Sequence, residues 1–144
     1  MKTMNLSALV ALAIAWGSAA AAQQEIIFGI SATPNSLQGQ SAYEFQRRAN
    51  EKLGDLGEVK VFDSSQLGKD KDMLQKIRLG TMHLTLPSSI MPEIAPEYAI
   101  FDLPFLVADR EHLARMDETL FSDTLVPAAE AKGYRPLAVW ENGF

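Results

Sequence analysis

Short apolar runs alternate with helical patterns along this chain of 144 residues, and this alternation constrains the fold more than any single motif does. Four runs are short and apolar and have glycine, proline or asparagine nearby, which is typical of buried strands. Between them, apolar residues recur every three or four positions, as on one face of a helix. Alternating strands and helices predict an α/β fold with a mostly parallel sheet and helices on both faces. The predicted strands are residues 25–30, 59–62, 84–86 and 137–140.

The helical patterns have recognisable ends. The first spans residues 41–53, where Ser41 and Glu44 have the spacing of a capping box. The second spans residues 69–79 and is followed by Gly80, a residue that suits the left-handed position after a helix. Three prolines divide residues 90–109 into short turns, and helical character returns over residues 114–132 with an interruption near Pro127. The three prolines are Pro92, Pro96 and Pro104.

The first 22 residues have the organisation of a secretory signal peptide. Lys2 precedes an apolar run over residues 6–16, and small residues follow up to the predicted cleavage site before Gln23. The apolar run is shorter than the about 20 residues that a membrane-spanning helix needs, which argues against a retained anchor. The sequence therefore predicts export and a mature chain that begins at Gln23.

Composition excludes several classes of function for the mature chain. Lys2 is the only charged residue in the predicted signal peptide, so 12 of the 13 basic and all 18 acidic residues remain. An acidic balance without a basic cluster argues against binding to nucleic acid or to an anionic membrane. The chain has no cysteine, which excludes disulfides, thiolate metal sites and cysteine nucleophiles. An exported α/β chain without disulfides indicates a bacterial periplasm.

Signals for catalysis are weak, and we expect no enzymatic activity. His83 and His112 lie far apart in the sequence and show no catalytic partner, so structural roles are expected for both. Glu93 and Glu97 are four residues apart, but the prolines around them disfavour the helix that would bring them together, and no third metal ligand is evident. Hydrolase, phosphate-loop and zinc-protease motifs are absent from the sequence.

Serines follow two of the predicted strands. Ser31 comes after the first strand, and Ser88 and Ser89 come after the third. Ligands of parallel α/β sheets bind outside the carboxyl ends of the strands, where hydroxyl and backbone N–H groups could hold a small anion. The alternative is that these serines only form turns or cap helices, as serine often does. The residue pattern alone leaves both interpretations open.

Four stretches of the sequence resemble one known family. They are "FGISATPNSLQGQSAYEFQRRANEKLG", "VFDSSQLGKDKDMLQKIRLGTMHLTLPSS", "PEYAIFDLPFLV" and "VWENGF". The chain is similar to the solute-binding proteins of tripartite ATP-independent periplasmic (TRAP) transporters, in their DctP-like, dicarboxylate-binding branch. The resemblance implies a periplasmic binding protein fold of type II, with two lobes that close on a small organic acid. It further implies delivery of that ligand to membrane permease subunits, and neither catalysis nor a cofactor.

The resemblance also implies roles for individual residues. Ser31, Ser88 and Ser89 match positions that line the ligand cleft in relatives, and Asn142 matches the strand that leads into the cleft and across to the second lobe. In relatives, an arginine that grips the ligand carboxylate follows at the position after Phe144. We therefore expect residues 23–144 to form an N-terminal lobe whose second lobe is missing, and to bind no dicarboxylate alone.

An alternative function is a sensory subunit in which a lobe of this kind docks on a membrane signalling receptor. The neighbouring genes discriminate between the two functions, because permease subunits and sensor kinases are both recognisable from sequence. An enzyme on the same scaffold is a third and weaker hypothesis.

The expected truncation can be tested on the gene. If the sequence is a piece of a longer gene product, the DNA beyond codon 144 should continue in frame with an arginine codon and further coding sequence, because the carboxylate-gripping arginine of relatives occupies the next position. Sequencing of the natural locus decides between the two cases, and a stop codon at position 145 would show that the gene itself ends there.

Overall fold

The computed structural model describes residues 23–140, which are built on a three-stranded parallel sheet. Strand β1 (Gln24–Gly29) lies in the centre of the sheet, with β2 (Gly57–Phe62) on one edge and β3 (Leu84–Thr85) on the other. Both neighbours run parallel to β1. The predicted parallel sheet is therefore confirmed for the first three strands, and the carboxyl ends of all three lie at one edge.

Two helices make the crossovers between these strands. Helix α1 (Leu37–Leu53) and the short 3₁₀ segment that follows it, Gly54–Leu56, connect β1 to β2. Helix α2 (Asp70–Arg78) connects β2 to β3. Phe28 of β1 packs in a buried cluster with Ala42 of α1, whereas the next residue, Gly29, lies against Met73 of α2. Because consecutive residues of a strand face opposite sides, α1 and α2 cover opposite faces of the sheet.

The second half of the described chain is helical and less regular. Helix α3 (Met91–Ile94) is followed by a 3₁₀ segment at Pro96–Asp102, so the predicted short turns in this region are confirmed. Helix α4 (Arg110–Leu120) then passes through a π-helical turn, Phe121–Leu125, into α5 (Val126–Glu130). The predicted interruption lies within this stretch. Proline at position 127 is in the first turn of α5, where a missing N–H is tolerated.

The predicted start of the first helix is wrong. Helix α1 begins four residues earlier than expected, and its N-terminal cap is Ser36 rather than Ser41. The Ser36 hydroxyl accepts a hydrogen bond from the Gly39 N–H at 3.1 Å and donates one to the Thr33 carbonyl at 2.7 Å. Ser36 has the extended backbone that a cap requires, whereas Ser41 is already inside the helix.

The predicted fourth strand, residues 137–140, is also wrong within the part of the chain that the structure describes. These residues pair with no strand there: both edges of β1 are occupied by β2 and β3, and the outer edges of β2 and β3 have no partner strand among residues 23–140. Trp140 packs instead by its ring, stacked on Phe28 with the centroids 6.1 Å apart and edge-on to Phe45 at 6.5 Å. An apolar run predicts burial, but it does not supply the neighbouring strand that a ladder needs.

The loop after β2 is fastened to its surroundings by one buried carboxylate. Asp63 accepts a hydrogen bond from the Tyr43 hydroxyl of α1 at 2.5 Å. This bond, followed by one from the Ser64 hydroxyl, holds the pKa of Asp63 below its ordinary value of 3.8, and the same bond raises the pKa of Tyr43. The Ser64 N–H donates to the Ala32 carbonyl and the Ser65 N–H to the Ile30 carbonyl, so the loops after β1 and β2 are tied together.

The predicted signal peptide, residues 1–22, and residues 141–144 lie outside the described residues, so both predictions that concern them stay predictions. Among residues 23–140, no helix is both long enough and apolar enough to cross a membrane.

The position of the first helix cap can be tested with two serine variants. Ser36→Ala removes the capping bond and should lower the free energy of unfolding by about 1 kcal/mol. Ser41→Ala is the matched control and should change it by less than about 0.5 kcal/mol, because alanine is the better helix former inside α1. Urea unfolding of the purified chain measures both values. Equal destabilisation by the two variants would contradict the assignment.

The Tyr43–Asp63 bond makes a pH-dependent contribution to stability. A carboxyl whose pKa is lower in the folded state stabilises the fold above its unfolded pKa, and this contribution is lost as the pH falls through the lower, folded pKa. We expect Tyr43→Phe to destabilise the chain at neutral pH and the difference from the wild type to shrink as the pH falls below 3.8. Urea unfolding at a series of pH values measures it.

Tyr134→Phe is the control for this series, because the Tyr134 hydroxyl donates to the neutral Leu74 carbonyl. Its effect on the free energy of unfolding should not change over the same acidic range. A Tyr43→Phe effect that is constant with pH would show that the Asp63 pKa does not depend on this bond.

Candidate ligand-binding site

Three chain segments meet around one pocket of about 300 Å³ at the carboxyl edge of the sheet. Ser31 lies in the loop after β1, Ser88 and Ser89 lie in the loop after β3, and all three line the pocket. The first residue of α2, Asp70, lines it as well. The structure thus brings together the three described serines that the sequence singled out, while Asn142, the fourth predicted site residue, lies outside the described residues.

Asp70 joins the two serine-bearing loops. One oxygen of its carboxylate, Oδ1, accepts a short hydrogen bond from the Ser31 hydroxyl. The other oxygen, Oδ2, accepts from the Ser88 N–H at 3.3 Å and from the Ser88 hydroxyl at 3.4 Å. A carboxylate is well placed in the first turn of α2, because the N-terminal end of a helix carries a partial positive charge. Asp70 therefore fixes the separation of the two loops that form the pocket.

The local sequence explains why Asp70 is available for this contact. Gly68 has φ of 101°, a left-handed conformation that favours glycine and turns the chain into α2. The backbone N–H of Lys69 donates to the Asp72 carboxylate at 3.0 Å, so Asp72 caps the helix. Asp70 lies two residues before Asp72 in the same first turn, and its carboxylate contacts the serines instead. In the sequence, the only sign of this contact is that two carboxylates, Asp70 and Asp72, stand at the start of the same helix. A carboxylate at a helix start ordinarily indicates only capping.

The remaining walls of the pocket combine aromatic and polar groups. The 3₁₀ segment Pro96–Asp102 contributes three side chains, and α1 and the end of the described chain contribute one each. The Tyr98 hydroxyl donates to the Leu125 carbonyl at 3.0 Å, which ties this wall to the π-helical turn. These five residues are Gln38, Tyr98, Phe101, Asp102 and Trp140. The pocket is open on one side, because Ser31 and both serines of the β3 loop are exposed.

A wider depression of about 600 Å³ lies at the opposite end of α2, between Arg78 and the turn after α5. Its lining mixes charges of both signs, with Glu93 and Glu130 facing Arg78 and Lys132, and none of the strand-end residues reaches it. We therefore assign the candidate site to the smaller pocket, where loops of two neighbouring parallel strands converge.

The histidines that the sequence left without a partner make backbone contacts. The Nδ1 atom of His83 accepts the Ile27 N–H at 3.0 Å, directly before β3, and Nδ1 of His112 accepts the Ala108 N–H at 3.3 Å near the start of α4. Glu93 lies 4.0 Å from the Lys71 ammonium group in an exposed ion pair. Each of these residues has a structural contact away from the strand-end pocket.

Comparison with known proteins gives the family. Residues 28–144 match the DctP family, described as bacterial extracellular solute-binding protein, family 7. A solute-binding protein of Verminephrobacter eiseniae is 33% identical over 87% of this chain and 38% of its own length. The C4-dicarboxylate-binding periplasmic protein DctP of Rhodobacter capsulatus is 33% identical over 96% of this chain and 44% of its own. The chain thus spans less than half the length of these relatives.

Solved structures give the fold. A TRAP periplasmic solute-binding protein of Sulfurospirillum deleyianum, with bound succinate, superposes with a TM-score of 0.71 at 31% identity, over 77% of this chain and 36% of that one. The sugar acid binding protein of Advenella mimigardefordensis, in complex with galactonate, gives a TM-score of 0.78 at 26% identity, over 85% and 40%. The predicted fold class, one lobe of a periplasmic binding protein, is confirmed. The chain belongs to the DctP family of bacterial extracellular solute-binding proteins.

Proposed function

We propose that this chain is part of the solute-binding component of a TRAP-type transporter and takes part in capturing a small organic carboxylate. The observation that carries the proposal is the convergence of Ser31, Ser88 and Asp70 around one pocket at the carboxyl edge of the sheet. Relatives of known structure support the ligand class, because they hold succinate, D-erythronate, galactonate or L-malate. Ser31, Ser88, Ser89 and Asn142 are the proposed ligand-binding residues.

We also propose where the protein acts and what it serves. Export by the signal peptide of residues 1–22 would place the mature chain in the periplasm, in agreement with the family's description as extracellular. There the loaded protein would deliver its ligand to membrane permease subunits that couple uptake to an ion gradient. Permease genes beside this gene would support that partner, and a sensor kinase gene in their place would favour the sensory alternative.

The proposed binding site needs a second lobe. The residues between 23 and 140 that line the pocket include two aspartates and neither lysine nor arginine, so the described lining supplies no cation to hold a carboxylate. A bidentate arginine is the group best matched to a carboxylate, and closure of a second lobe would also exclude water and strengthen each hydrogen bond. We propose that the cation comes from sequence beyond residue 144, next to Asn142.

Calorimetry distinguishes this lobe from a complete binding protein. We expect the purified chain of residues 23–144 to show no micromolar binding to a panel of succinate, L-malate, D-erythronate and galactonate, because the lobe lacks the cation. The complete product of the gene should bind at least one of these acids in the micromolar range or tighter. Micromolar binding by residues 23–144 alone contradicts the need for a second lobe, and failure of the complete product to bind any organic acid contradicts the proposed function.

A further inference from the structure

The hydroxyl groups around the pocket are already used as donors inside the protein. The Ser31 and Ser88 hydroxyls both donate to the Asp70 carboxylate, which when ionised can only accept. The Tyr98 hydroxyl donates to the Leu125 carbonyl. Since a hydroxyl has a single proton, these three groups present only oxygen lone pairs to a ligand.

Two of the remaining polar side chains that line the pocket are carboxylates, which can only accept. Asp70 and Asp102 contribute carboxylate oxygens to the lining. The Gln38 amide, the Ser89 hydroxyl and the Trp140 indole N–H are the donors that remain among the lining side chains of residues 23–140, and that lining contains no lysine or arginine. The polar side chains of this lining are therefore mostly acceptors and carry negative charge, whereas Leu86, Met91 and Pro92 supply apolar contacts.

This polarity restricts which part of a ligand can lie here. A ligand carboxylate would meet the negative charges of Asp70 and Asp102 and few donors. Repulsion between like charges becomes stronger when closure of a second lobe excludes water from the pocket. Both Asp70 oxygens already accept hydrogen bonds from Ser31 and Ser88, but their remaining lone pairs and those of the two hydroxyls would gain no donor from an aliphatic CH₂ group. Ligand hydroxyls fit both requirements, because each donates one hydrogen bond and carries no charge.

Resting on the proposed function, we infer that the ligand is a polyhydroxylated monocarboxylic acid that places its hydroxyl-bearing end against Asp70, Ser31 and Ser88. Its carboxylate points away from this lobe, toward the side where the proposed cation would lie. A plain dicarboxylate fits less well, because one of its two carboxylates would have to face the Asp70 and Asp102 carboxylates. Asp70 then determines specificity, both by accepting from the ligand and by turning the serine protons inward.

The first test compares two ligands on the complete product of the gene. Isothermal titration with galactonate and with succinate should give a dissociation constant at least about tenfold lower for galactonate, since only galactonate satisfies the acceptors. Equal or tighter binding of succinate overturns the inference while leaving carboxylate binding, and so the proposed function, intact. Binding of neither these two nor the other acids of the panel overturns the proposed function and this inference with it.

The second test assigns the discrimination to Asp70. Asp70→Asn replaces an acceptor oxygen by an NH₂ donor and removes the charge, so galactonate should bind about tenfold more weakly while succinate binds as before or more tightly. Asp55→Asn is the matched control. Asp55 is exposed in the 3₁₀ segment before β2, at the opposite edge of the sheet, and its variant should leave both affinities unchanged. Equal losses for both ligands in Asp70→Asn overturn the inference.

A third variant separates ligand recognition from folding. Ser88→Ala keeps the Asp70 charge and the Ser88 N–H bond but removes one hydroxyl acceptor, so it should weaken galactonate binding several-fold and spare succinate. Thermal unfolding identifies any variant that fails to fold. If Asp70→Asn fails to fold, the ratio of the galactonate and succinate dissociation constants in Ser88→Ala decides whether the inference holds. A Ser88→Ala variant that keeps the wild-type ratio of the two dissociation constants overturns the role of this hydroxyl.

Discussion

Strand β1 forms hydrogen bonds with a parallel strand on each of its edges, and the arrangement of residues 23–140 depends on this double pairing. Phe28 is opposite Val61 in β2 and Leu84 in β3. The pairing continues past the strand, because the Ile30 N–H donates to the Phe62 carbonyl at 2.9 Å. Since all three strands point the same way, their following loops emerge at one edge. The pocket exists there because Asp70 links two of these loops.

Much of the fold could be predicted from periodicity. The short apolar runs that became β1, β2 and β3 stand between helical patterns, and the order of elements determines a parallel sheet. Two predictions were wrong, the start of α1 and the fourth strand. The first depends on a choice between two similar serine caps, and the second depends on contacts with residues distant in the sequence. Ser36 and Ser41 are both plausible caps, and the contact of Ser36 with Thr33 decides between them. Of the run at 137–140, Trp140 packs on Phe28, whereas Leu137 and Ala138 are exposed and no residue of the run pairs in the described sheet.

The candidate site was predictable in position but not in polarity. Ser31, Ser88 and Ser89 could be placed at strand ends, since the topology alone puts those ends together. Their chemistry could not be read from residue type, because a serine is both a donor and an acceptor. The partner of each hydroxyl decides whether it donates or accepts. For Ser31 and Ser88 that partner is Asp70, which lies far from both in the sequence. A site interpreted from the serines alone would hold an anion, whereas with Asp70 in contact it presents acceptors.

The pairing of β1 with strands that are distant in the chain also has a consequence for the order of folding. Helices α1 and α2 are stabilised partly by contacts within a few residues, such as the Arg47 pairs with Glu44 and Glu51, and these can form early. The sheet requires β1 to pair with β2 and β3 across the intervening helices, and such non-local pairing is slow. A newly made chain of this topology is therefore expected to fold more slowly than a helical bundle of the same length, and such a delay would suit the export that we propose for it.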